Sequence, residues 1–161
     1  PEVPFGSMIT PLTGNEMNFY DLLLPEDPGT VVMNGKEYAW NTWGEILNPP
    51  ADAQIWATYK NEFYEGSPAV TFRKLGKGTI TYVGVDSHNG ALEKDILKKL
   101  YAQLNIPVMD LPYGVTMEYR NGLGIVLNYS DQPYAFNLPK GAKALIGTTN
   151  IPTAGVLVFS M

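Results

Sequence analysis

The sequence predicts a β-rich α+β chain built in two parts. Three observations carry this: apolar runs of strand length recur between Gly, Pro and Asn turn signals through most of the chain; helical periodicity is confined to residues 91–104; and short strands return after it. The first part is expected over residues 1–107 and ends in that one long helix. The second, a small antiparallel β-sandwich, is expected over residues 112–161.

Taken in order, residues 1–28 are rich in Pro, Gly, Asn and Asp, with short apolar patches at 17–20 and 22–24, so irregular structure is expected there. Residues 31–33 and 36–40 flank Asn34-Gly35, a pair that supplies the two positive φ angles of a type I′ turn, and predict a hairpin. After the turn-like Asn48-Pro49-Pro50, residues 53–59 read as a strand, and 61–64 as its pair or an extended loop. Two further strands, 69–75 and 79–85, flank Gly76-Lys77-Gly78. In the later one Ile80, Tyr82 and Gly84 share one face, and Thr81, Val83 and Val85 the other. Both faces are largely apolar, which places this strand inside a sheet.

From residue 91 the period changes. Leu92, Ile96, Leu100 and Leu104 recur every fourth residue, Leu97 and Tyr101 widen that face, and Glu93, Lys94, Lys98 and Lys99 lie off it. Asn89 or Gly90 can cap the start, Glu93 and Asp95 suit the positive end of the helix dipole, and Pro107 forbids continuation. Beyond a linker at 105–113, strands are expected at 115–119, 124–129, 134–138, 143–146 and 155–159, with turns at Asn121-Gly122 and 139–141. A module of about 50 residues without disulfides buries little surface, so it should dock on a neighbour.

Composition excludes several classes of function. With 16 acidic against 11 basic residues, a net charge of −5 and no Lys/Arg-rich patch, nucleic acid is not an expected partner. The longest apolar runs, such as 155–159, fall far short of the roughly 20 residues that a membrane helix requires, so no membrane partner is expected. The 161 residues hold no cysteine, which removes disulfides, thiolate zinc sites and cysteine nucleophiles. That absence leaves the cytoplasm and the periplasm both open, the cytoplasm being favoured. The opening PEVPFGSM reads as the cut edge of something longer.

Motifs with chemistry are scarce. Gly76-Lys77 lacks the upstream Gly and the following Ser/Thr of a P-loop, and one His with no Cys leaves at most an oxygen-ligand metal site, for which no calcium-type loop appears. Neither a metal nor a cofactor is expected. Asn128-Tyr129-Ser130 satisfies the glycosylation sequon, but an Asn at a strand end is assigned to the adjacent turn. Asp86-Ser87-His88, between a strand and a helix, is the best-placed site candidate, and a cap or surface role is favoured for His88. The densest aromatic patch holds Tyr38, Trp40, Trp43, Trp56, Tyr59, Phe63 and Tyr64. Core plus subunit interface is its favoured role, and a platform for stacking sugar rings, with Trp40, Trp43, Trp56, Tyr59 and Tyr64 as the candidate residues, is the alternative.

Several motifs in order carry a family resemblance. Gly114-Val115 with Arg120, Asn128 with Ser130, Leu138-Pro139 with Gly141, and Pro152 with Gly155-Val156 resemble the C-terminal β domain of bacterial β-galactosidases of glycoside hydrolase family 42. Upstream, residues 51–59, the Phe63-Tyr64, Gly66 and Pro68-Ala69 segment, and Gly76-Lys77-Gly78 before Tyr82-Val83-Gly84 are similar to the end of that family's trimerisation domain. The resemblance implies that the first part is the latter half of an α/β domain like class I glutamine amidotransferases, with a flavodoxin-like sheet. His88 falls near where the catalytic His of those enzymes is expected, but the chain has no cysteine to partner it.

The resemblance also implies a retaining hydrolase of terminal β-galactosides, working through two carboxylates about 5 Å apart in a (β/α)₈ barrel that lies outside this chain. No position here matches those barrel motifs, so no catalytic role falls to Glu62, Glu65, Asp86 or Glu93, and the fragment alone is expected to be inactive. Its implied partners are its own barrel and further copies in a trimer, with β-galactosides bound through the barrel only. The alternative is a free-standing carbohydrate-binding or protein-interaction module using the patch from Tyr38 to Tyr64.

Overall fold

The computed structural model describes residues 9–161, and the chain divides into two compact units, Pro1–Pro107 and Val108–Met161. Among the described residues every strand pairing is antiparallel, so the parallel ladder of a flavodoxin-like sheet does not occur in them.

The first unit is a seven-stranded sheet that curls back on itself. After a short helix α1 (Thr10–Thr13) come β1 (Glu16–Asp21), β2 (Gly29–Met33), the long β3 (Lys36–Asn48), β4 (Gln54–Lys60), β5 (Pro68–Leu75), β6 (Gly78–Val83) and β7 (Val85–Ser87). The strand order is β1-β3-β2-β4-β5-β6, and β7 returns to pair with β3. The β2–β3 hairpin forms as its turn demands, with Asn34 at φ 52° and Gly35 at φ 78°. β3 pairs β2 along its first half, from Met33↔Lys36 to Gly29↔Trp40, and β1 along its second, from Asp21↔Gly44 to Glu16↔Asn48. Between the halves the backbone turns at Thr42, held at φ 74° although β-branched, and the Thr42 N–H donates to the Leu23 carbonyl at 3.1 Å.

Two expectations are corrected here. The segment expected to be irregular contains β1, which survives with modest burial because β3 is long enough to offer it a second ladder; residues 1–8 of that segment lie outside the described residues. The strand expected inside the sheet at 79–85 is two strands, β6 and β7, broken at Gly84, and β6 pairs with β5 alone. Gly84 is the joint: its N–H donates to the Ala69 carbonyl of β5 at 2.9 Å, and its carbonyl accepts from the Glu45 N–H of β3 at 2.6 Å. Its neighbours therefore stand in apolar surroundings on both sides without a strand on each edge.

The curled sheet encloses Trp40, Tyr59, Val31 and Val70, each at most 1% exposed. Trp40 meets Tyr59 edge-on at 5.5 Å, and Tyr59 meets Tyr64 edge-on at 5.1 Å. The Tyr59 hydroxyl is shared between the Glu45 carbonyl at 3.0 Å and the Gly84 carbonyl at 3.3 Å. Burial, reinforced by the nearby Glu45 carboxylate, holds that hydroxyl protonated well above the ordinary tyrosine range. Gly44 is required where it stands, since a Cβ there would come 2.7 Å from the Trp40 ring and 3.0 Å from the Tyr59 hydroxyl.

A 3₁₀ turn (His88–Gly90) leads into helix α2 (Ala91–Gln103), which buries Leu92 and Ile96 on the sheet. Asn105, at φ 54°, ends it in the left-handed conformation. Two polar contacts fix the helix. Asp95 accepts from Lys36 Nζ at 2.6 Å and from the buried Tyr38 hydroxyl at 2.8 Å, and Lys99 Nζ sits 3.9 Å above the Trp56 ring.

The second unit opens with β8 (Val115–Arg120) and β9 (Leu123–Asn128), joined at Asn121-Gly122 with both φ positive. β10 (Tyr134–Ala135), β11 (Lys143–Ile146), β12 (Asn150–Ile151) and β13 (Gly155–Ser160) follow, giving a four-stranded sheet β11-β13-β9-β8 and a two-stranded ladder β10-β12. Val126, Ile151, Leu157 and Phe159, all fully buried, form its core with Val115 and Phe136. Asn128 is the polar centre: Nδ2 is shared among the carbonyls of Gln132, Ile151 and Pro152, while Oδ1 accepts from the N–H and the hydroxyl of Ser130. The turn role assigned to this Asn is what the structure shows. The strand expected at 134–138 is confined to two residues, and β12 was not expected, because two residues give no alternation to read.

Replacing Tyr59 by Phe removes the donor shared by the Glu45 and Gly84 carbonyls, and should lower unfolding free energy by about 1 to 2 kcal/mol in urea titrations monitored by Trp fluorescence. The Asp95 contacts set a pH window. The Lys36 and Tyr38 donors hold the Asp95 carboxyl below its ordinary range, so its contribution is present above about pH 4 and is lost as pH falls through the folded value. Tyr38 is pushed up to about 12 by burial and by Asp95, so its contribution is present below about pH 10 and is lost as pH rises through about 12. Urea midpoints across pH should show both limbs, and Asp95→Asn should weaken both while lowering the plateau by about 1 kcal/mol.

Candidate functional site

Asp86-Ser87-His88 lies where β7 gives way to the 3₁₀ turn, and Asp86 lines an open depression together with Trp43, Glu45, Val83 and Glu93. Ser87 is buried, whereas Asp86 and His88 are exposed. The Ser87 hydroxyl donates to Glu93 Oε2 and accepts from the Leu92 N–H at 2.9 Å, while Glu93 Oε1 accepts from the Ser87 N–H at 3.1 Å. This reciprocal exchange between a Ser before the helix and a Glu in its first turn satisfies backbone donors at the helix start, as a capping box does. Of the two residues expected to cap, Gly90 is the N-cap residue of α2, left-handed at φ 65° and without a side-chain bond, and Asn89, at φ 57°, stands one position before it. The buried hydroxyl is committed to the Glu93 carboxylate and the Leu92 N–H, and both contacts serve the start of the helix.

Glu45 is the buried carboxylate of this unit, 7% exposed. Oε1 accepts from Trp43 Nε1 at 3.1 Å, and Oε2 accepts from the Tyr82 hydroxyl at 2.5 Å. Burial and this bond to Glu45 push the Tyr82 hydroxyl far up from its usual range, so it remains a donor. Among the described residues no group of three or more His, Cys, Asp or Glu side chains is arranged to hold a metal ion.

The aromatic patch separates into buried and open parts. Trp40, Trp56, Tyr59 and Tyr64 are at most 7% exposed; Trp56 stacks on Phe72 at 4.6 Å, and the Tyr64 hydroxyl donates to Asp21 at 2.6 Å. Rings enclosed in this way present no free face to a sugar. Trp43 is half-buried and stacks on Tyr20 at 4.6 Å. The open aromatic surface joins a member of the patch to a ring outside it: Phe63, 87% exposed, stacks on Phe19 of β1 at 5.7 Å. Sequence reasoning missed the pairing, and the apolar patch at 17–20 was the one signal for Phe19. A second apolar stripe, Leu97, Tyr101 and Leu104, is exposed on α2, where the periodic face is wider than the part the sheet covers.

The description of the β-galactosidase trimerisation domain matches residues 1–112, and that of the β-galactosidase C-terminal domain matches residues 114–161. The chain belongs to the family 42 β-galactosidases. Its sequence is 41% identical over 73 residues to β-galactosidase LacA of Lactobacillus acidophilus, covering 45% of this chain and 11% of that protein. It is 30% identical over 115 residues to β-galactosidase bgaB of Geobacillus kaustophilus, covering 68% of this chain and 17% of that one.

The fold is shared with the β-galactosidase of the haloarchaeon Halorubrum lacusprofundi, at a TM-score of 0.82 and 23% identity over 100% of this chain and 25% of that one. The Marinomonas ef1 β-galactosidase gives 0.79 and 21%, over 99% and 23%. The chain thus spans about a quarter of the length of these solved family members.

If Ser87 and Glu93 serve the helix start and nothing else, Ser87→Ala should cost about 1 kcal/mol in thermal or urea unfolding, and His88→Ala less than about 0.5 kcal/mol. A His88 effect larger than that of Ser87 would contradict the assignment.

Proposed function

We propose that this chain supplies the non-catalytic assembly and bracing portion of a β-galactosidase, and that hydrolysis of terminal β-galactosides is performed by a barrel outside it. The observation that carries this reading is the tiling of residues 1–112 and 114–161 by the family's trimerisation and C-terminal domains, in a chain a quarter as long as its solved relatives.

Side-chain chemistry supports it. A retaining glycosidase needs one carboxyl raised to act as acid and a second free to attack. Glu45 is occupied by Trp43 and Tyr82, Glu93 by Ser87, and Asp95 is held below its ordinary range, opposite to what an acid catalyst requires.

In this reading the first unit is the latter half of the trimerisation domain and holds copies together as a trimer, and its amidotransferase-like character would need parallel strands outside these residues. The exposed Phe19–Phe63 pair and the Leu97, Tyr101 and Leu104 stripe are the apolar surfaces available for contact. The second unit braces the barrel.

The purified 161-residue protein should release no nitrophenol from nitrophenyl β-galactoside above the buffer rate, and should self-associate with concentration in sedimentation velocity. Turnover that Glu45→Gln abolishes would overturn the non-catalytic reading. A monomer persisting at high concentration would count against the assembly role.

A further inference from the structure

Asn15, between α1 and β1, is 5% exposed. Its backbone N–H donates to Thr13 Oγ1 at 3.1 Å, and its side-chain Nδ2 donates to Thr71 Oγ1 at 2.8 Å. Its Oδ1 is buried and has no hydrogen-bond partner among the described residues. A buried amide oxygen left in this way has lost its hydration without compensation, so the site calls for a donor.

Asn15 lines a small, partly open cavity together with Thr10, Thr13, Met17, Glu45, Leu47 and Tyr82, and its volume is about 10 Å³. That is close to the least space that admits one water molecule. The polar groups are complementary to such a guest. Asn15 Oδ1 is an acceptor, and so is the Glu45 carboxylate, so the two cannot bond each other. The Tyr82 hydroxyl has already committed its hydrogen to Glu45, and Thr13 Oγ1 donates to the Ile9 carbonyl at 3.3 Å. The smallest species that satisfies two acceptors at once is one with two hydrogens to give.

We infer that a single buried water molecule occupies this cavity and bridges Asn15 Oδ1 to the Glu45 carboxylate. A cation is disfavoured by the walls, because Met17 and Leu47 offer no oxygen, and hard cations gather six or more oxygen ligands. The water ties the chain around α1 to β3 and completes the hydrogen bonding of the one polar side chain on which Trp43 and Tyr82 converge.

A high-resolution crystal structure of the 161-residue protein tests this directly: one spherical density should lie within about 3.2 Å of both Asn15 Oδ1 and a Glu45 carboxylate oxygen. Oxygen-17 relaxation dispersion should count one fewer long-lived internal water in Asn15→Leu than in the parent protein. Should that variant fail to fold, the density in the parent protein decides alone. An empty cavity, or Oδ1 bonded directly to a protein donor, overturns the inference. Density with short contacts to five or more oxygens would mark the occupant as a cation and would also overturn it.

Discussion

The first unit depends on the closure of its sheet at Gly84. The circuit β3-β2-β4-β5-β6 returns to β3 through Gly84 and β7: Gly84 gives its N–H to β5 and its carbonyl to β3, and β7 then pairs with β3. A Cβ at that point would sit 3.3 Å from the Ala69 carbonyl, the Glu45 Cβ and the Leu47 side chain, so a larger residue would require these neighbours to give way. Tyr59 enters beneath the joint and bonds the same carbonyl from within, and Gly44 makes room for its hydroxyl and for Trp40. The closure links the largest buried rings to the least substituted backbone, so apolar packing and main-chain hydrogen bonding are satisfied by one geometry.

The two units solve the problem of a limited core differently. The first has enough aromatic volume to fill its interior, and fastens α2 across it with the Asp95 contacts and the Lys99–Trp56 pairing. The second has a smaller set of buried side chains and relies on Asn128, whose amide connects the end of β9, the turn that follows and the strand β12. A satisfied buried amide specifies one arrangement of these segments in a way that apolar contacts alone do not.

Local features were legible in the sequence where one short-range cause decides them. Asn34-Gly35 and Asn121-Gly122 fix their turns through positive φ, and the four-residue period over α2 fixes the helix within a residue at its end. Ring closure was not legible, because it depends on Gly84 meeting strands about 15 and 39 residues earlier, and no periodicity reports a contact of that span. β1 was missed for the same reason: its stability comes from a ladder with the far half of β3 and not from its own composition. Most rings of the aromatic patch are buried, yet Phe63 was grouped with them although it is exposed, since sequence spacing through a turn does not give direction. The family was legible from the order of its turn and strand-end motifs.

The burial of Asn128 reaches beyond folding into biosynthesis. Enzymes that attach sugar chains to Asn-x-Ser sites require an accessible amide nitrogen, and here Nδ2 is enclosed and already shared by three carbonyls. A eukaryotic secretory host that modified the nascent polypeptide at Asn128 would install a bulky polar oligosaccharide where the second unit needs its central amide, leaving that unit unable to close. The acceptor sequence is thus hidden in the mature protein and a liability during its manufacture, and expression in a host lacking that machinery avoids the conflict.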